Sequence, residues 1–342
     1  MKSKHTFAAI GCVLVLSACG GGGGGSGGDA GSVSQSTPAP APATTATVIA
    51  AANASSAAEN SYEATYMVST WSAQVPDLLN GVSITPANSG LLAPVFDLVK
   101  RAYSPDGASL LTGVANTYTC TNGGWMAVDA TQHDPRTPTV GDTWTFTANN
   151  CTAYSNVQNG AIVVKVTEAS GNLFQTYSGS MTLDVVFKNF SNAKDGLTDL
   201  TDGGIKISVT RTGQTTSSFA ISGTALTDTL QKSGTTVATR TLSSFSANGS
   251  KQDSVVTASA NFSLSGSSQR LGQFAYTVKN LTPFVSTGST VPTKGALIVT
   301  GASSSVTLVV MPEGVRLDHS DNASGTITTT TSRLWSDFFN DY

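Results

Sequence analysis

The chain has 342 residues, with 18 Lys+Arg against 21 Asp+Glu, four cysteines and 11% charged side chains. Mild acidity without a basic patch argues against a nucleic-acid partner. Ser, Thr, Gly and Asn fill most polar positions, which suits a β-protein outside the cytoplasm.

The start MKSKH is basic, with Lys2 and Lys4, and is followed by the apolar run FAAIGCVLVL, Phe7 to Leu16. About ten apolar residues make a signal-peptide core and are too few to span a bilayer. The run ends in LSAC, Leu16 to Cys19. This ordered set resembles the bacterial lipoprotein signal, whose lipobox is an aliphatic residue, two small residues and a cysteine. The resemblance covers the first twenty residues. It implies that residues 1–18 are removed and that Cys19 receives a diacylglycerol, becomes the N-terminus and is N-acylated. An ordinary secretory signal cut nearby is the alternative. Several acyl chains anchor firmly, because each buried methylene adds about 0.8 kcal/mol. Gly20 stands where the family commonly carries an Asp that retains the protein at the inner membrane. It therefore implies delivery to the outer membrane, on its periplasmic face or at the cell surface.

Residues 19–47 are mostly Gly, Ser, Ala, Thr and Pro, with Asp29 as the one charge. Such a segment has too little apolar surface to fold and is expected to be a disordered tether, flexible first and stiffer through PAPAPATTAT. Its glycines also mimic GxSxG and GxGxxG, but the strand–turn–helix context those motifs need is missing. Removal of 1–18 discards Lys2 and Lys4 and no acid, taking the formal net charge from −3 to −5. It also discards Cys12. With Cys19 lipidated, Cys120 and Cys151 remain. An even pair in an oxidising compartment reads as a disulfide.

Residues 48–105 carry a helical pattern. NASSAAENSYEATYMVSTW offers Asn53 or Ser55 as an N-cap with Glu59 close behind. In LLAPVFDLVKRAY, Leu92, Val95, Phe96, Val99 and Tyr103 fall on one helical face. Residues 106–342 switch to a period of two. Met181, Leu183, Val185 and Phe187 alternate with polar positions, as do Ile205, Ile207 and Val209, then Trp144 and Phe146, then Phe274, Tyr276 and Val278. Turn signals such as TNGG, NNC, VQNG, AKDG, TDGG, KSGT, ANGS and SGSS separate these runs. The expected fold is mainly β: a large antiparallel meander of about a dozen strands, either a sandwich or a strongly curved sheet, with a short N-terminal helical segment packed on it. The tail RLWSDFFNDY breaks the alternation and is expected to form a short helix or strap through Leu334, Trp335 and Phe338.

Chemistry is sparse. His133 lies in a loop bracketed by the two cysteines, with Asp134 beside it. His319 ends a strand whose alternation points it inward, with Asp318 and Asp321 nearby. Either could be written into a triad, but no serine stands in an elbow context. NAKDGLTDLTDGG offers Asp195, Asp199 and Asp202, clustered oxygens without the DxDxDG spacing of a calcium loop. HExxH and CxxC are absent from the sequence, so no metal, cofactor or catalytic residue is assigned.

The leading expectation is a lipid-anchored, non-catalytic envelope protein with a structural, adhesive or complex-subunit role. Its partners would be the membrane, through the lipid, and another envelope protein. The alternative is a carrier of a lipid or other apolar ligand on a curved sheet. The body is similar in composition to β-rich envelope lipoproteins of Gram-negative bacteria, a likeness that transfers no site residues. Replacing Cys19 with Ala is expected to give an uncleaved or soluble form. Mass spectrometry of the wild-type N-terminus checks this, and an unmodified start elsewhere overturns it.

Overall fold

The computed structural model describes residues 45–65, Tyr103, and 116–338 apart from 135, 154–155, 175, 288–290 and 323. The lipobox, the glycine run and the helical pattern from Leu92 lie outside the described residues, except for Tyr103. The strands are β1 (Asn116–Thr119), β2 (Trp125–Thr131), β3 (Thr143–Ala153), β4 (Asn156–Asn172), β5 (Ser178–Lys194), β6 (Leu197–Arg211), β7 (Thr216–Lys232), β8 (Thr235–Gln252), β9 (Val255–Ser268), β10 (Gly272–Thr287), β11 (Lys294–Thr300), β12 (Ser305–Met311), β13 (Gly314–Ser320) and β14 (Thr329–Leu334). They form one 14-stranded sheet in strict chain order, and every neighbouring pair is antiparallel. A helix, α1, covers residues 54–65, and a short turn of helix, α2 (Trp335–Phe338), follows β14. The meander is thus a single sheet rather than a sandwich.

The period-two pattern sorts the side chains as expected. Met181, Leu183, Val185, Phe187, Ile205, Ile207, Val209, Trp144, Phe146, Phe274, Tyr276 and Val278 are all buried in one contiguous core. In the tail, Phe338 is buried and Trp335 packs on the core, but Leu334 is 51% exposed and does not join the strap. Its strand, β14, belongs to the sheet, and its side chain falls on the face away from the core.

Five of these eight expected turns are not turns, NNC within β3 among them. AKDG and KSGT do close two-residue hairpins: Asp195-Gly196 and Ser233-Gly234 have positive φ at both central positions, as a type I′ turn requires. VQNG, TDGG, ANGS and SGSS instead lie inside β4, β6, β8 and β9. Strands of 14 to 18 residues result from β4 to β10. Seventeen residues extend roughly 55 Å, far too long to stay straight around a core. Register shifts break them: between Ala148 and Cys151, Asn159 and Ala161, Phe187 and Phe190, Gly203 and Lys206, and Ser243 and Ser246. Because Ala148 pairs with Gly160 and Phe187 with Gly203, these shifts line up as a seam crossing the sheet from β3 to β8. A bulge bends and twists the strand that carries it. Asn150, Asn189 and Ser244 take positive φ along the seam. Gly160 has φ +91°, and a Cβ there would stand 2.2 Å from the Asn189 carbonyl oxygen.

Sheet curvature is also visible in α1. Tyr62 packs its ring 5.6 Å from Phe284 of β10 and 6.0 Å from Phe338 of α2. In a flat sheet β10 and β14 would stand roughly 19 Å apart. Tyr62 thus ties β10 to the helical turn that follows β14.

Cys120, after β1, and Cys151, in β3, are joined in a disulfide with a sequence separation of 31. Reducing that constraint with Cys120→Ala should lower stability by about 3–4 kcal/mol on the chain-entropy account, measured by urea denaturation. Gly160→Ala should cost more than Gly234→Ala. Both force an alanine to positive φ, a penalty of about 1–2 kcal/mol, but only Gly160 also meets the Asn189 backbone, while Gly234 has nothing within 4 Å. Comparing the two urea midpoints tests the seam.

Candidate functional site

Three polar centres stand out against the apolar core. The first gathers at the β2–β3 connection. Asp142 is fully buried and accepts hydrogen bonds from the His133 backbone N–H (2.9 Å), the Thr139 N–H (3.0 Å) and the Tyr103 hydroxyl. Its Oδ1 also lies 2.7 Å from His133 Nδ1, and the His133 side chain is 56% exposed. Burial, and then the hydrogen bond and charge of Asp142, push the Tyr103 phenol upward and keep it protonated. Asp142, not Asp134, orients His133. The Asp134 carboxylate instead caps its own loop by accepting the Arg136 N–H at 2.8 Å. Tyr103 also packs on Trp144 and Phe174. Arg211 pins the neighbouring loops: buried at the end of β6, it donates to the carbonyls of Leu173 (2.8 Å) and Gln214 (2.9 Å) and lies over the Tyr177 ring.

The second centre is a clamp on the N-terminal segment. His319 is buried as its alternation implied, and its Nε2 donates to the Ile49 carbonyl at 2.8 Å. The Ile49 N–H donates to Ser304 Oγ (2.7 Å). Thr47 exchanges bonds with Ala275: its N–H meets the Ala275 carbonyl (3.1 Å) and its Oγ1 accepts the Ala275 N–H (3.0 Å). The Ala302 N–H closes on the Thr47 carbonyl at 2.9 Å. A Cβ on Gly301 would stand 2.1 Å from that carbonyl oxygen, so glycine permits the approach. Thr47, the last residue assigned to the tether, is therefore docked on the sheet. The two histidines lie in separate centres, and neither has a serine hydroxyl as hydrogen-bond partner among the described residues.

The third centre lies on the concave face beneath α1. Thr201, Asp228, Arg240, Gly266 and Phe274 form one cross-strand row from β6 to β10. Asp199 sits two residues before Thr201 on the same face. Arg240 reaches α1, its Nε donating to Asn60 Oδ1 (2.6 Å) and its Nη2 to Glu63 Oε2 (2.5 Å). Arg270, in the β9–β10 turn, contacts Glu59 at 3.4 Å. Burial raises the Asp228 carboxyl, with Arg240 and the Thr201 hydroxyl pulling the other way. Burial, then the charge of Asp228, pushes Asp199 up to about 7. Asp195, Asp199 and Asp202 do not converge. Asp195 is in the hairpin turn, Asp199 faces inward, and Asp202 accepts the Asn189 N–H on the opposite face. No set of three or more His, Cys, Asp or Glu able to hold a metal occurs among the described residues.

Sequence reading passed over the third centre, although a signal existed. Asp228 falls between Leu226 and Leu230, and Arg240 between Ala238 and Leu242, so charges occupy the apolar phase of two strands. No protein-family model, curated protein or solved structure matches this chain.

A pH dependence follows from Asp199. Its folded value lies above the ordinary 3.8. Between about pH 4 and pH 7 the unfolded chain therefore releases a proton that the folded chain keeps, and stability falls as pH rises through this window. Asp199→Asn removes that loss. Its melting temperature should exceed wild type at pH 8, with the gap closing toward pH 4. A gap that is constant with pH overturns the assignment.

Proposed function

We propose that this chain is a lipid-anchored, non-catalytic β-protein of the bacterial envelope, held at the outer membrane through Cys19 and serving a structural, adhesive or complex-subunit role. The observation that carries this reading is the clamp at Thr47 and Ile49. The point where the tether meets the folded body is bonded to β10, to the β11–β12 turn and, through His319, to β13. Load arriving along the tether would be shared among backbone hydrogen bonds of several strands instead of peeling one edge. The concave face supports the same reading, because α1, with residues 57–62 all buried, occupies part of the space that a cargo would need.

A second reading, a carrier of an apolar ligand, is favoured by one observation. α1 presents Ala54, Ala57, Ala58 and Ala64 among its buried residues, a thin apolar seal, and beyond the Tyr62 ring its described contacts with the sheet are ion pairs and hydrogen bonds. Export of the Cys19→Ala chain, purification without detergent and solvent extraction separate the two. The expected outcome is no stoichiometric lipid by mass spectrometry. One lipid per chain would replace the first reading with the second. His319→Ala should leave the sheet folded but expose residues 45–52 to protease, a test of the clamp alone.

A further inference from the structure

We propose that α1 is a releasable strap, in which Arg240 and Arg270 hold the helix across the concave face through Glu63, Asn60 and Glu59 while the sheet carboxylates Asp228 and Asp199 compete with the helix for Arg240. The register brings these groups together. Asp228 stands directly opposite Arg240 in the β7–β8 register, and the same guanidinium spans to Asn60 and Glu63, some 180 residues away in the chain. The Arg240 and Glu63 side chains are only 18% and 22% exposed, so their charges are poorly screened. Gly266, the next residue in the row, adds no side chain beside Arg240.

The charged groups around the latch are Glu59 and Glu63 on α1, Asp199 on β6, Asp228 on β7, Arg240 on β8 and Arg270 in the β9–β10 turn; the Tyr276 phenol on β10 is pushed up to about 12 and stays neutral. With Asp199 protonated, Arg240 and Arg270 stay engaged with the two helix carboxylates and the strap is closed. Burial holds Asp199 near 7, so a rise in pH past neutrality adds its negative charge to the face where Asp228 and Arg240 stand opposite each other. Among the described residues, Glu63 then shares Arg240 with an ionised sheet carboxylate, and its hold on the sheet weakens. Residues 54–65 make a helix of roughly 18 Å, which is marginal without tertiary support. Its release would uncover the row Leu226, Leu242, Leu264 and Tyr276, which lies one step further along the same face and is at most 3% exposed. The strap does not depend on lipidation, so it stands or falls separately from the anchored role.

The test is hydrogen–deuterium exchange of the full chain from pH 6 to 8.5, read as protection factors so that the intrinsic pH dependence of exchange is removed. The expected result is a fall of about tenfold for residues 54–65, the size of a one-unit pKa shift, with β5 and β6 unchanged. Glu63→Gln should lower protection of 54–65 at pH 6. The double variant Asp199→Asn, Asp228→Asn should keep it high at pH 8.5. Exchange of 54–65 only together with the core strands, or at a rate insensitive to pH, overturns the proposal. If the double variant fails to fold, Glu63→Gln and the wild-type pH series still decide it.

Discussion

A sheet of fourteen strands with one apolar face cannot exist flat in water, and the rest of this structure follows from how that face is kept dry. Every core strand from β2 to β13 places its apolar side chains on the same side. Burying them there stabilises by roughly 25 cal/mol per Å2 of apolar surface removed from water, but only if the sheet bends. The bulge seam supplies the bend. Each register shift inserts an unpaired residue, twists the strand and exchanges which sequence parity faces inward. In β5 the buried series Met181 to Phe187 resumes at Phe190, and in β8 Leu242 is followed by Phe245.

Within the resulting concavity, the two ends of the described N-terminal segment are handled differently. At Thr47 and Ile49 the chain is fixed by short, directional hydrogen bonds of its own backbone, made to Ala275 and Ala302 and to the side chains of Ser304 and His319. Along α1 the contact is carried by long charged side chains and small methyl groups. Helical alanines let the helix lie close to the sheet but bury little area each, so the arginines carry much of the attachment. Tyr62, among Phe284, Trp335 and Phe338, is the exception and serves as the hydrophobic pivot at the helix's far end. A segment fixed firmly at one end and electrostatically along its length can move without the sheet unfolding.

The polar centres also show how a single buried carboxylate acts differently according to its donors. Asp142 receives two backbone N–H groups, a phenol and an imidazole, enough to satisfy a buried charge. Asp228 and Asp199 face a guanidinium already engaged by the helix.

Much of this was legible in the chain. Alternation assigned the buried face of β3, β5, β6 and β10 residue by residue, Asp195-Gly196 and Ser233-Gly234 marked true hairpins, Asn53 marked the start of α1, and the even cysteine count joined Cys120 to Cys151. These are local properties: period, turn chemistry and parity depend on neighbours a few residues away. Tertiary structure alone decided whether a glycine such as Gly160 ends a strand or bends it, because the difference lies in the strand that packs beside it. It also decided that His133 turns to Asp142 and not Asp134, that His319 grips Ile49, and that Arg240 reaches across to Asn60 and Glu63 of α1. Those partners lie from nine to about 270 positions apart in sequence, and only the folded path of the chain brings the most distant of them within hydrogen-bonding reach.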